Sequence, residues 1–237
     1  MRAASNIIGS MKRRTVWLFD LDNTLHDASH AALPAINDAM TAFIAAELAL
    51  PLAEADALRT HYWRRYGATL LGLERHHGVR AAHFLRETHR LPKLESWLRA
   101  SAHDRAALAR LPGRKIVLTN APLAYATRVL DALGLARHFE AVIALERMRM
   151  FGRLRPKPDR RMLRFVLARL KLAPSHCTLV EDTLEHQRAA RSLRIRTVWM
   201  RRYLRTTAHP AKVSVHRCAK PPSVCARIKS LQTLRTM

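Results

Sequence analysis

Two aspartates two positions apart, Asp20 and Asp22, follow an apolar run in the stretch LFDLDNTLHD, residues 18–27. Paired carboxylates are suited to metal or phosphate chemistry, because their oxygens can bind a hard cation, attack an electrophile or carry a proton. Turns at protein surfaces also contain aspartate. The pair therefore predicts chemistry only if other segments supply the groups that such chemistry needs.

Three other segments carry polar side chains of suitable types. Thr119 and Asn120 follow the apolar run KIVL, and Glu181 and Asp182 follow CTLV. Lys157 lies between two prolines in RLRPKPDRRM, where a restricted backbone could direct its ammonium group at an anion. Each group alone has an ordinary explanation, such as a turn, a helix cap or a solvated lysine. Together they predict a site with clustered carboxylates, hydrogen-bond donors and one cation.

Five short apolar and β-branched runs predict the strands that would position these groups. Helical stretches separate most of the later runs, and such alternation is typical of a parallel α/β sheet. In an open parallel sheet, ligands bind beyond the carboxyl ends of the strands, where these polar residues lie. The predicted strands are 15–19, 115–120, 141–145, 177–182 and 196–200, and the predicted helices between them are 122–133, 158–171 and 184–193.

The interval between the first two strands breaks this alternation. Residues 28–100 contain apolar residues at helical spacing and no convincing strand, which predicts a helical insertion. We therefore expect an α/β fold in which a Rossmann-like parallel core, residues 1–27 and 101–202, carries an inserted α-helical cap. A basic C-terminal extension, residues 203–237, would follow as an irregular tail with a short helix in ARIKSLQTLR.

The composition predicts a globular protein in a reducing compartment. About half of the 237 residues are apolar, which is enough for a sizeable core. The three cysteines, Cys177, Cys218 and Cys225, have neither close metal-binding spacing nor an even-numbered disulfide pattern. No apolar run approaches the roughly 20 residues of a membrane span. These features favour a cytoplasmic protein and leave its oligomeric state open.

The net charge of +24 is extreme and unevenly distributed. After Glu185 the chain contains no acidic residue and thirteen lysines or arginines. Such asymmetry predicts attraction to anions, including phosphorylated substrates and nucleic acid. Because the charges are scattered and few aromatic residues accompany them, an arginine-rich surface explains them better than a nucleic-acid-binding site.

The segments DLDNT, LTN, RPKPD and VEDT, in this order, resemble the motif set of the haloacid dehalogenase superfamily of phosphatases. The predicted helical insertion after the first segment resembles the cap of that superfamily. Within the superfamily, FDLDNTLHD together with YGATLLGLERHHGV resembles the pyrimidine 5′-nucleotidase group.

The resemblance implies a role for each matching residue. Asp20 would be the nucleophile and form an aspartyl-phosphate, while Asp22 would protonate the leaving alcohol and later activate water. Thr119 and the backbone amide of Asn120 would bind the phosphoryl group. Lys157 would stabilise the charge of the phosphoryl group and the nucleophile.

The resemblance also implies a Mg²⁺ site made of oxygen ligands. Asp20, the backbone carbonyl of Asp22 and the carboxylate of Asp182 would bind the ion, and Glu181 would hold a metal-bound water. Asp22 separates the branches of the superfamily, because the hydrolytic dehalogenases need no leaving-group acid and lack this second aspartate. Its presence favours phosphoryl transfer.

We therefore expect a Mg²⁺-dependent phosphomonoester hydrolase that acts on a small phosphorylated substrate, with pyrimidine nucleoside 5′-monophosphates as the leading candidates. A sugar-phosphate phosphatase or phosphomutase of the same fold is one alternative. A basic nucleic-acid-binding protein that retains the core as a scaffold is another.

Overall fold

The apolar run that precedes Asp20 forms the first strand of a six-stranded parallel sheet in this computed structural model, which describes residues 15–204 and 221–236. The described strands are β1 (Val16–Phe19), β2 (Arg114–Leu118), β3 (Ala141–Ile143), β4 (Arg149–Met150), β5 (Arg153–Leu154), β6 (Cys177–Glu181), β7 (Arg196–Met200) and β8 (Ala226–Ile228). The described α-helices are α1 (Ala32–Leu48), α2 (Leu52–Tyr66), α3 (Thr69–His77), α4 (Ala81–Thr88), α5 (Leu94–Trp97), α6 (Ala102–Arg110), α7 (Leu123–Ala132), α8 (Arg160–Arg169) and α9 (Leu184–Ser192).

The strands of the main sheet follow the order β3-β2-β1-β6-β7-β8, and each neighbouring pair is parallel. The strands β4 and β5 form a separate antiparallel hairpin. All five predicted strands lie in the main sheet, which confirms the expected α/β fold. The direction of winding reverses at β1, because β2 lies on one side of it and β6 on the other. Open α/β sheets bind ligands beyond the strand ends at such a reversal.

The strand β1 is buried on both faces, which explains its unbroken apolar sequence. Leu18 lies in register with Ile116 and Leu179, and these three belong to the apolar cluster on one face. Phe19 belongs to the cluster on the opposite face. Helices cover both faces, so only the ends of β1 can present polar residues to solvent or to a ligand.

The interval between β1 and β2 is helical, as its apolar spacing predicts, and contains a short 3-10 helix, Ala28–His30, followed by the helices α1 to α6. The helices α2 and α3 pack closely because Gly72 has no side chain. A Cβ atom on Gly72 would lie 2.2 Å from Cγ of Tyr62, which is too close for any larger residue without displacement of the ring. The division of the chain into a core and a cap at residues 28 and 100 remains a prediction.

The C-terminal segment differs from the predicted tail. Residues Ala226–Ile228 form β8, which extends the sheet beside β7, and only Leu231–Thr236, in the second part of the predicted short helix, are helical, as a 3-10 helix. The open edge of β7 explains the difference, since its backbone groups need partners: Cys225 donates to the carbonyl of Thr197, and Arg201 to that of Ile228. Parts of the predicted core and of the predicted C-terminal extension lie outside the described residues, namely 1–14, 205–220 and 237.

Asp104 of α6 anchors this C-terminal segment to the core. Its Oδ1 accepts hydrogen bonds from the hydroxyl of Ser230 and the amide of Leu231, both at 2.8 Å. Its Oδ2 lies 2.8 Å from Nη1 of Arg202, which follows β7. One buried carboxylate therefore joins α6, the end of β7 and the segment after β8.

Asp104→Ala should lower the free energy of unfolding by about 2 kcal/mol, because three donors lose a charged acceptor at a mostly buried position. Urea unfolding followed by circular dichroism measures the change. Asp131→Ala, at an exposed position of α7, is the matched control and should change the value by less than about 0.5 kcal/mol. Equal stability of the two variants would contradict an anchoring role for Asp104.

Among the described helices, none alone has the length and hydropathy to cross a membrane; α1 and α2 satisfy these criteria only together, as a pair bent by 111°.

Candidate active site

The register of the three central strands brings their polar ends together. Phe19 pairs with Val117 on one side and with Val180 on the other, so Asp20 is level with Glu181 of β6. The amide of Asp20 continues the ladder by donating to the carbonyl of Val180 over 3.0 Å. Residues that are more than 150 positions apart in the sequence are therefore neighbours at this edge.

Lys157 provides the cation at the centre of the site. Its Nζ donates to Oδ1 of Asp20 over 2.6 Å and to Oε2 of Glu181 over 2.7 Å. The side chain is only 1% exposed, so both ion pairs are shielded from solvent. Lys157 thus holds the two carboxylates together and neutralises part of their charge.

The side chain of Asn120 fixes the backbone of Lys157. Its Nδ2 donates to the carbonyl of Lys157 over 3.0 Å, and its Oδ1 accepts from the amide of Lys157 over 2.9 Å. Further along the loop, Asp159 caps α8 by accepting from the amides of Arg161 and Met162. The end of β2 and the start of α8 therefore position the ammonium group together.

Three carboxylates, those of Asp20, Glu181 and Asp182, each offer one oxygen atom within 4.8 Å of the others. Burial and the charge of Glu181 raise the pKa of Asp20 to about 6, although Lys157 opposes this shift. The same two causes raise the pKa of Asp182 well above its usual value. Three carboxylates lie beside the single ammonium group of Lys157, which cannot balance the charge of all three. An all-oxygen donor set with this charge fits a hard divalent cation.

Glu181 is the carboxylate most firmly held in the ionised form. Burial would raise its pKa, but the ammonium group of Lys157, together with His186, whose Nδ1 lies 3.1 Å from Oε2, outweighs burial, and the pKa lies well below its usual range. Burial would lower the pKa of Lys157, but the negative charges of Asp20 and Glu181 outweigh burial and raise it. Gln187, which is fully buried, donates from Nε2 to the carbonyls of Glu181 and Val198 and so fixes the end of β6 against β7.

Asp22 has different partners from the carboxylate cluster. Its Oδ1 accepts hydrogen bonds from Oη of Tyr125 over 2.8 Å and from Nε2 of His26 over 2.9 Å. Burial would raise the pKa of Asp22, but the hydrogen bond from His26, together with that from Tyr125, outweighs burial and lowers it. The two aspartates of the opening pair therefore occupy separate environments.

The loop that carries the pair is stabilised by local polar contacts. Asn23 adopts a left-handed backbone conformation, with φ of 59°, which asparagine tolerates better than most residues. Its side chain donates to the hydroxyl of Ser29 and accepts from the amide of Ser29. At the end of β2, Oγ1 of Thr119 accepts from the amide of Ala121 over 3.0 Å, which leaves the hydroxyl proton of Thr119 able to donate to a ligand.

The sequence did not indicate the roles of Tyr125 and His26. Tyr125 is one of several large residues on the buried face of α7, and only its hydroxyl distinguishes it from a core residue. His26 is fully buried four residues after Asp22, and its spacing alone gave no reason to pair the two. The predicted residues Asp20, Lys157, Glu181 and Asp182 cluster directly, Asn120 contacts the backbone of Lys157, and Thr119 lies at the same strand edge.

Comparison with known proteins supports the same fold. The HAD phosphatase of Thermococcus onnurineus has 17% identity and a TM-score of 0.62 over 94% of this chain and 96% of its own. CbbY of Rhodobacter sphaeroides, solved with phosphate, has 19% identity and a TM-score of 0.59 over 93% and 96%. L-2-haloacid dehalogenase of Xanthobacter autotrophicus has 17% identity and a TM-score of 0.60 over 94% and 97%. At these identities the likeness concerns the fold alone.

The sequence itself provides the assignment to a family. Residues 15–193 match the haloacid dehalogenase-like hydrolase family, and this span runs from the start of β1 past the end of α9. It includes all the residues of the candidate site. The chain therefore belongs to the haloacid dehalogenase-like hydrolase family.

Proposed function

We propose that this hydrolase is a Mg²⁺-dependent phosphomonoesterase that acts through an aspartyl-phosphate intermediate. The observation that carries the proposal is the separation of two neighbouring carboxylates into different environments. Asp20 pairs with Lys157 in the carboxylate cluster, whereas Asp22 is held by Tyr125 and His26. Enzymes that need a nucleophile and a proton carrier of the same residue type separate their roles in this way.

In the first step, a carboxylate oxygen of Asp20 attacks phosphorus while the bond from phosphorus to the leaving oxygen breaks. The bond pair departs with the leaving oxygen, which takes a proton from Asp22. A bound phosphate beside Asp22 would raise the pKa of Asp22 by like-charge repulsion, which favours the protonated form. In the second step, Asp22 takes a proton from water as that water attacks phosphorus and releases Asp20.

The remaining polar groups would stabilise the charge of the transferring phosphoryl group. The ammonium group of Lys157 lies beside Asp20. The hydrogen bonds between the Asn120 side chain and the backbone of Lys157 hold it there, so it need not move during the reaction. The hydroxyl of Thr119 and the amide of Asn120 would donate to the phosphoryl oxygens. Preorganised donors of this kind are effective because they are aligned before the reaction begins.

The carboxylates of Asp20 and Asp182 and the backbone carbonyl of Asp22 would hold Mg²⁺, with Glu181 bound to a coordinated water. When bound, the cation screens the repulsion between an anionic nucleophile and an anionic phosphate. The close approach of three carboxylates, each with one oxygen within 4.8 Å of the others, supports this assignment.

Pyrimidine nucleoside 5′-monophosphates are the proposed substrates, and the inserted helices would choose among esters by covering the site. The supporting feature is the resemblance of the segment YGATLLGLERHHGV, which forms the end of α2 and α3. A sugar-phosphate phosphatase or phosphomutase is the alternative, because the same site residues serve those reactions. The net charge of +24 would attract anionic substrates generally and needs no nucleic acid partner to explain it. The buried free thiol of Cys177 supports a cytoplasmic location.

A panel of phosphate esters, assayed for released phosphate with Mg²⁺ and with a chelator, tests the proposal. Uridine and cytidine 5′-monophosphates should be hydrolysed only with Mg²⁺, and about tenfold more efficiently in kcat/KM than purine nucleotides or sugar phosphates. A preference for hexose phosphates, or their isomerisation without phosphate release, would favour the alternative. Failure to hydrolyse any ester in the presence of Mg²⁺ would overturn the proposed function.

A further inference from the structure

Both hydrogen-bond donors to Asp22 reach the same carboxylate oxygen. Oη of Tyr125 and Nε2 of His26 bind Oδ1 at 2.8 and 2.9 Å, and the Asp22 side chain is 22% exposed. A carboxylate held by one oxygen cannot exchange its two oxygens by rotation without breaking both bonds. The arrangement therefore distinguishes Oδ1, which is anchored, from Oδ2, which can face a ligand.

Both donors are themselves fixed by the fold. Tyr125 lies on α7 and is 1% exposed, and the ring of His89 packs edge-on against its ring with centroids 5.6 Å apart. Burial and the negative charge of Asp22 keep the pKa of Tyr125 above its usual value, so its hydroxyl remains a donor. His26 is fully buried, and its backbone forms an isolated β-bridge with that of Asp22. Neither donor can move without disturbing packed neighbours.

We propose that Tyr125 and His26 are positioning residues that orient Asp22 so that Oδ2 carries the proton to the leaving oxygen. The inference rests on the proposed phosphatase function and assigns to it two residues to which the sequence analysis gave no role. The proton passes from Oδ2 to the leaving oxygen as the bond to phosphorus breaks, and Oδ1 keeps both hydrogen bonds throughout. Neither positioning residue contacts the phosphoryl group.

Proton donation matters only when the leaving group is a strong base. An alkyl phosphate needs a proton on its departing oxygen, whereas dinitrophenolate leaves as a stable anion. The ratio of kcat/KM for these two esters therefore reports the alignment of Asp22. The value of kcat/KM depends only on the steps up to the departure of the alcohol, so the later attack of water does not affect it.

Tyr125→Phe removes the hydroxyl and keeps the ring that packs against His89. With Mg²⁺ present, we expect kcat/KM to fall about tenfold for a nucleoside or alkyl phosphate and less than about twofold for 2,4-dinitrophenyl phosphate. His26→Leu removes the other donor, should change the ratio in the same direction, and provides an independent test if one variant folds poorly. Ser192→Ala is the control, because it removes a hydroxyl that donates to the carbonyl of Ala189 within α9, and it should leave both values unchanged.

The outcomes separate this inference from the proposed function. If the unaltered protein hydrolyses neither ester, the proposed function fails, and the inference fails with it. If it hydrolyses both, and Tyr125→Phe and His26→Leu lower the two kcat/KM values equally or not at all, the positioning role alone is overturned. A selective loss with the alkyl ester in either folded variant supports it, because general destabilisation would affect both esters.

Discussion

Asp20→Asn is expected to lower turnover of 4-nitrophenyl phosphate in the presence of Mg²⁺ by on the order of 10⁴-fold. The reason is that an amide oxygen cannot form the phosphoryl-enzyme intermediate. An acid quench of the unaltered protein during turnover, followed by mass spectrometry, should detect one phosphoryl group on the peptide that contains Asp20. The Asn variant should show none.

The fold should tolerate this change, which separates loss of chemistry from loss of structure. Burial and Glu181 raise the pKa of Asp20 to about 6 in the folded chain, above the value of about 3.9 for an unfolded chain. Above pH 6 the fold therefore disfavours the charge of Asp20, so its removal should not lower the free energy of unfolding. Asn can still accept the hydrogen bond from Lys157.

Asp131→Asn, at an exposed position of α7, is the matched control and should retain full turnover. Turnover of Asp20→Asn within tenfold of the unaltered protein would show that Asp20 is not the nucleophile. The same conclusion would follow if the phosphoryl group were found on another peptide.

Lys157→Met should affect both stability and turnover. It leaves Asp20 and Glu181 as neighbouring buried carboxylates without their shared cation, and breaking a buried ion pair in this way costs about 3–5 kcal/mol. The same change removes a preorganised positive charge from the phosphoryl group, which should lower kcat by about 10²-fold or more. Methionine has a similar length, so loss of packing contributes little.

Urea unfolding in the presence of a chelator measures the effect on stability, because a divalent cation could otherwise replace the lost charge. Turnover is then measured with Mg²⁺ in excess. Lys229→Met makes the same substitution at an exposed position, and both quantities should remain near those of the unaltered protein. Normal stability of Lys157→Met would contradict the ion pairs, and normal turnover would contradict the role proposed for the ammonium group.

The strands and many of the helices follow from local patterns. The run before Asp20 predicts a buried strand, and the other predicted runs end within one or two residues of the observed strands. The helical interval after the first strand also follows its apolar spacing. Local patterns failed at the C-terminus, where ARIKSLQTLR has helical character but part of it pairs with β7. An open strand edge is a property of the folded sheet, so the isolated segment carries no sign of it.

The candidate site was likewise predicted from the sequence only in part. The residue types at the strand ends predict a cluster of carboxylates with a lysine, and the structure has Asp20, Glu181 and Lys157 in direct contact. The clamp from Asn120 to the backbone of Lys157 spans 37 residues, and the bond from Tyr125 to Asp22 spans 103. Neither contact has a sequence signature, because strand order and helix packing bring these residues together.

By itself, the sequence determined which residues could carry the chemistry and that most of them directly follow a predicted strand. A buried strand must be apolar, and polar residues directly after it must lie at the carboxyl end of that strand. Both properties can therefore be recognised in the amino-acid sequence. Only the tertiary structure decided how the environments of Asp20 and Asp22 differ. Asp20 pairs with Lys157, whereas Asp22 accepts hydrogen bonds from Tyr125 and His26. The physical reason is that burial, charge and hydrogen bonding depend on neighbours in space, which strand register and helix packing supply.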